Sequence, residues 1–113
     1  MDIRVNTRME QALNGKELVV NLGGADWYTK FKADRRYSNG RLCVELIDAT
    51  DGSPFATLTV NIPTAELGDW EILVKTWSEN EMVAKAALAS GRFKDTGKRI
   101  NTGFVQAQVW EVL

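Results

Sequence analysis

The stretch Gly40–Pro63, GRLCVELIDATDGSPFATLTVNIP, constrains the fold more than any other part of the chain. Leu42, Val44 and Leu46 alternate with Cys43, Glu45 and Ile47. After the turn residues Thr50-Asp51-Gly52-Ser53-Pro54, Ala56, Leu58, Val60 and Ile62 alternate with Phe55, Thr57, Thr59 and Asn61. Successive strand side chains point to opposite faces, so a period of two sends the aliphatic set one way and the rest the other. Asp, Gly and Pro between the two runs supply turn chemistry. The expected unit is an antiparallel hairpin with one face on a core and one in water. Pro63 removes a ladder donor and ends it.

The same reading extends both ways. Glu17–Leu22 places Leu18, Val20 and Leu22 on one face and is closed by Gly23-Gly24. Trp27–Tyr37 alternates Trp27, Thr29, Phe31 and Ala33 against Tyr28, Lys30, Lys32 and Asp34, and Ser38-Asn39-Gly40 turns the chain. Residues 64–70 read as a loop and Glu71–Trp77 as a short strand. Ser78-Glu79-Asn80-Glu81 has the pattern of a capping box, with a helix to about Ser90 and a stop at Gly91. Arg92–Thr102 reads as a charged loop containing Gly97, and Phe104–Leu113 as a final strand with Val105, Ala107 and Val109 on one face. The first fourteen residues read as a flexible arm or as a short helix over Thr7–Leu13. The expected fold is α+β: one domain over residues 1–113, an antiparallel sheet of about five to six strands, and one main helix packed on one face.

Composition narrows the function classes. Fourteen Lys and Arg against fifteen Asp and Glu give a net charge of −1. Phosphate neutralisation supplies most of the affinity of a duplex-DNA binder, and it needs a basic excess that this chain lacks. There is no histidine, which removes imidazole metal sites and every Ser-His or Cys-His nucleophile pair. The single Cys43 has no intramolecular disulfide partner. No apolar run opens the chain and none approaches the roughly 20 residues of a membrane span. The expectation is a cytoplasmic, non-enzymatic protein with no cofactor and no metal.

The segment Phe55-Ala56-Thr57-Leu58-Thr59-Val60-Asn61-Ile62-Pro63 resembles the "FADLTVNLP" signature of a family of small uncharacterised proteins encoded by bacteriophages and conjugative elements. Val44-Glu45-Leu46-Ile47-Asp48, the Asp51-Gly52-Ser53-Pro54 turn and Thr102-Gly103-Phe104 are similar to that family too. Its "NNCPW"-like helix entry is replaced here by Trp77-Ser78-Glu79-Asn80. The resemblance implies a setting among the accessory genes of mobile elements, many of which block host defences, CRISPR systems included. It carries no catalytic motif; that setting, together with the absence of a catalytic constellation in the residues, makes the expectation a protein that binds and inhibits a host or phage protein complex.

Four clusters are candidates for contact. Tyr28, Lys30, Lys32 and Arg36 share an exposed face if the strand keeps its register, with Arg35, Tyr37 and Arg41 nearby. Basic groups track phosphates and rings stack on bases, so this strand suits single-stranded nucleic acid, against the plainer reading of a solvated face. Arg92, Lys94, Lys98 and Arg99 fall in the charged loop and are candidate partner contacts. The carboxylates Asp48, Asp51, Glu66, Asp69 and Glu71 could bind a hard cation or do acid/base work, against the plainer reading in which Asp48 and Asp51 flank a turn and serve its local hydrogen bonds. Phe55, Ile47, Val19 and Cys43 form either a patch for a protein partner or second subunit, or a covered second layer. A pocket built from Trp27, Trp70, Trp77 or Trp110 would suit a nucleotide signal, and an open sheet edge makes a homodimer reasonable.

Overall fold

The alternating runs Glu17–Leu22 (β1) and Ala25–Arg36 (β2) pair antiparallel, with Leu18 opposite Thr29 and Val20 opposite Trp27. Gly23 and Gly24 make the two-residue turn with φ of 58° and 83°, the doubly positive pattern that matches strand twist and excludes most side chains. Leu42–Asp48 (β3) pairs with β2, and Pro54–Thr57 (β4) pairs with β3. These form a four-stranded sheet in the order β1-β2-β3-β4. Glu71–Val74 (β5), Phe93–Thr102 (β6) and Val105–Val112 (β7) form a second antiparallel sheet in the order β5-β7-β6. A short helix, Arg8–Leu13 (α1), precedes the sheets, and the main helix, Glu81–Ala89 (α2), follows a 3-10 turn at Ser78–Asn80. This computed structural model describes residues 8–113. Where the expected amino-terminal arm covers residues 1–7 it lies outside them. Residues 8–13 form the helical alternative, with Met9 and Leu13 buried.

The class is α+β and antiparallel, but the seven strands among the described residues divide between two sheets. The division falls at Leu58, where the expected strand to Ile62 breaks. Leu58 N–H donates to the Val44 carbonyl (2.9 Å), and the Leu58 carbonyl accepts from Lys75 N–H (2.8 Å). Val60 N–H donates to the Leu73 carbonyl at 3.1 Å, and Thr59 bridges Val74. Residues 58–60 thus hydrogen-bond to β3 on one side and β5 on the other. Thr59 is buried rather than facing water: its hydroxyl oxygen accepts from Val44 N–H at 3.0 Å and shares a hydrogen bond with the Tyr37 hydroxyl at 3.0 Å. Leu58 enters the larger core while Val60 and Ile62 pack in a second cluster. Both sides of a crossing segment are covered, so its polar–apolar alternation does not report one wet face.

The larger core lies between the sheets and the helices. Phe31, Phe93 and Trp110 stack through it, with ring centroids 5.7 Å and 5.4 Å apart. Val83, Ala84 and Ala87 close it from α2, which lies against both β1 and β6. The second cluster, around Leu73, Ala107 and Val109, sits on the opposite face of β5 and β7. Residues 60–67 cover it, pinned by Arg41, whose guanidinium donates to the carbonyls of Ile62 (2.8 Å) and Ala65. β7 is therefore buried on both faces, with Ala107 and Val109 on one side and Trp110 and Val112 on the other.

Two local expectations change. Arg92–Thr102 is not a loop but mostly β6, an edge strand whose register shifts between Asp95 and Arg99. The shift destroys period-two alternation and leaves charged side chains along a strand. The capping box does not form either. Ser78 adopts φ 55°, and the side chain of Asn80 at the α2 N-cap donates to the carbonyls of Thr57 (2.6 Å) and Lys75 (3.2 Å).

The buried Thr59 contact carries a titration signature. Burial pushes the Tyr37 phenol up to about 12, with the Cys43 thiol adding to the rise and the Thr59 hydrogen bond opposing it. A raised folded-state value means the native protein holds this proton more tightly than the unfolded chain. The stabilisation is complete below the ordinary tyrosine value and is lost as pH rises through about 12. Tyrosinate absorbance in Tyr28→Phe, which leaves Tyr37 alone, is expected to show a midpoint near 12. A midpoint at the ordinary phenol value would show that the Tyr37 hydroxyl is not buried.

Candidate functional site

The outer face of the four-stranded sheet, turned away from the core, gathers the first candidate cluster. Val19 lies opposite Tyr28 across β1 and β2, and Lys30 lies between Glu17 on β1 and Ile47 on β3. Tyr28 is 64% exposed and Val19 47%, which makes them two of the most exposed large apolar side chains of the described residues. Ile47 is half-buried beside them. Lys32 faces Glu45 and sits 3.8 Å from Asp34, while Arg35 pairs with Glu45 at 3.3 Å. Three cations on this side, Lys30, Lys32 and Arg35, meet three carboxylates, Glu17, Asp34 and Glu45. The strand that reads as basic in sequence is charge-balanced once its neighbours are placed.

Arg36 does not share that face. The register of β2 shifts between Lys32 and Arg35, which puts Arg36 opposite Leu42 on the core side. There it donates to the Glu10 carboxylate of α1 at 2.6 and 2.9 Å and to the Gly40 carbonyl at 2.9 Å. A bulge turns every later side chain over, and nothing in the local composition marks it.

Of the second cluster, Lys94, Lys98 and Arg99 are spread along β6 and Arg92 directly precedes it, rather than all four being gathered in a loop. Lys98 pairs with Glu71 at 2.9 Å, and Arg99 forks onto Asp95 at 2.8 and 2.9 Å. The Arg99 guanidinium holds Asp95 below the usual carboxylate range. Glu71 is lowered chiefly by the Gly68 N–H, with help from Lys98. Arg92 and Lys94 form no ion pair among the described residues.

The remaining candidates separate. Asp48 and Asp51 accept backbone hydrogen bonds within their own turn. Among the described residues no group of three or more His, Cys, Asp or Glu converges. Cys43 is buried and Phe55 turns from the outer face to meet Trp27, ring centroids 6.0 Å apart. The four tryptophans do not enclose a pocket. Trp110 is in the larger core and Trp70 packs on it, Trp77 packs on the second cluster, and Trp27 is half-exposed at the end of β2.

Sequence reading missed Phe104, which is fully exposed at the β6–β7 turn. Gly103 takes φ 61° as the first central residue of that turn and Phe104 does not, the pattern of a type II′ hairpin. Gly103-Phe104 between Thr102 and Val105 was the available signal, obscured because β6 did not read as a strand. No helix among the described residues is long and apolar enough to cross a membrane. Comparison with known proteins finds no matching family model, curated protein or solved structure.

Proposed function

We propose that this chain is a non-enzymatic binding protein that docks on a host or phage protein through the outer face of its four-stranded sheet and blocks it by occlusion. The observation that carries this reading is the cross-strand pair Val19–Tyr28, exposed beside Ile47 within a ring of balanced charges. Protein interfaces concentrate their affinity in apolar and aromatic anchors surrounded by a polar rim. Single-strand binding needs a groove with a surplus of cations, and this face has none to spare. The family resemblance of Phe55–Pro63 supports a mobile-element setting and a bacterial defence complex, CRISPR included, as the target. A cytoplasmic site of action fits that setting.

Tyr28→Ala is expected to weaken the complex with the target by about 2 kcal/mol, roughly 30-fold in Kd, as for an interface hot spot. Its effect on folding should be small, since the side chain is already in water. Isothermal titration against the purified target measures this. An unchanged Kd would move the interface elsewhere on the molecule.

A further inference from the structure

We infer that the chain pairs with a second copy of itself along the edge of β1, antiparallel about a two-fold axis at Val19, so that the two four-stranded sheets join into one.

Strand geometry decides which backbone groups face outward. β1 and β2 are joined by a two-residue turn, so Leu22 and Ala25 beside it exchange hydrogen bonds, and every second pair along the ladder does the same. At the other end of the strand, Phe31 N–H donates to the Lys16 carbonyl at 2.9 Å, in the same phase. The N–H and C=O groups of Leu18, Val20 and Leu22 therefore point to β2, and those of Glu17, Val19 and Asn21 point away from it. Among the described residues these three have no backbone hydrogen-bond partner on that side, and all three are exposed.

The other sheet edges are closed or guarded. β4 is four residues long and begins with Pro54. The outer side of β5 is bonded to residues 58–60. β6 is broken by its bulge and carries Lys94, Lys98 and Arg99. Proline, lysine, bulges and short length are the devices that keep strand edges from pairing. The Glu-Leu-Val-Val-Asn-Leu run of β1 holds no proline, lysine or bulge, and its register is unbroken over all six residues.

This edge fits its own copy in one register. The outward groups lie on odd-numbered residues, so odd residues must face odd residues. With Val19 on the axis, Val19 faces Val19 and Glu17 faces Asn21 of the second copy, and all three outward residues of both strands are bonded. Glu17 is the only charged residue of β1, so no like charges meet. A register with Glu17 on the axis would set two carboxylates against each other, which is destabilising. The Val19 register is self-complementary and closes the assembly at two copies. It also brings the exposed Val19–Tyr28 pairs of both copies into one row of about 14 Å across the joined sheet. The outer face is thereby doubled, whatever docks on it.

Sedimentation equilibrium of the full chain tests this, with the wild type beside Val19→Lys and Asn21→Lys. Both positions are exposed, so both variants should keep the wild-type circular dichroism spectrum. The wild type is expected to be a concentration-dependent dimer. Val19→Lys sets two ammonium groups against each other on the axis and should raise the dimer Kd roughly tenfold or more. Asn21→Lys faces Glu17 of the second copy and should leave the Kd unchanged or lower it. Hydrogen exchange gives a second readout: the Val19 and Asn21 amides should slow as the protein is concentrated, while the Val20 amide, already bonded to β2, should change little. A chain that stays monomeric at several hundred micromolar would overturn the inference and leave this edge to a strand of another protein. A dimer weakened equally by both lysines, or by neither, or one that leaves the Val19 amide unprotected, would overturn it as well.

Discussion

Trp110→Ala is expected to destabilise the protein by about 3–5 kcal/mol, the range for emptying a buried aromatic site. Trp110 is 1% exposed, stacks on Phe93 at 5.4 Å and donates its indole N–H to Gln108 at 2.9 Å. It lies on the central strand of the second sheet, opposite Ile72 and Asp95, so neighbours on both sides hold the backbone and limit collapse of the cavity. A small domain has only about 5–15 kcal/mol in total. Urea denaturation should show a much lower midpoint with an unchanged slope. Trp77→Ala is the control: that ring is half-buried on the second cluster and covered on one side by Lys75, 5.9 Å from its centroid. A Trp110 loss no larger than the Trp77 loss would contradict the placement of the core.

Leu58→Ala is the second large effect, expected at about 2–5 kcal/mol. The side chain is fully buried at the point where the chain passes from one sheet to the other. Its backbone joins β3 to β5, so the residue belongs to both sheets at once. The lost stability should therefore appear in one transition, with tryptophan fluorescence and backbone circular dichroism moving together. If the two signals separated, with the second sheet melting at its wild-type midpoint, residues 58–60 would not couple the sheets.

These two residues also mark where the sequence stops being legible. Leu18, Val20, Phe31, Leu42, Val44 and Leu46 lie on strands with one covered and one wet face, and their alternation reads directly. The α2 helix was legible as an element, but of the apolar face read from Met82, Val83, Ala86, Ala87 and Leu88 only Val83 and Ala87 are fully buried; Ala84 joins them and Met82 is exposed. Trp110 and Val112 were not, because β7 is covered on both sides and every apolar position then looks alike. β6 was lost to its bulge, and Ser78 to a left-handed backbone that no residue-type preference announces. The candidate site fared similarly. Tyr28, Lys30, Lys32 and Asp34 could be grouped from spacing alone, whereas Glu17 and Glu45, which complete the charge balance, arrive from β1 and β3 by strand pairing. Arg36 left the group through a register shift. Charge balance is a property of the folded face, and it turns the reading from nucleic acid toward protein.

The most direct measurement is retention of bacterial proteins from nuclease-treated lysate on the immobilised chain, wild type beside Tyr28→Ala. The expected result is one protein held in near-equal amount by the wild type and lost from the variant, with both chains equally folded. Retention that disappears with nuclease, or that is the same for both chains, would contradict docking through the Val19–Tyr28 face.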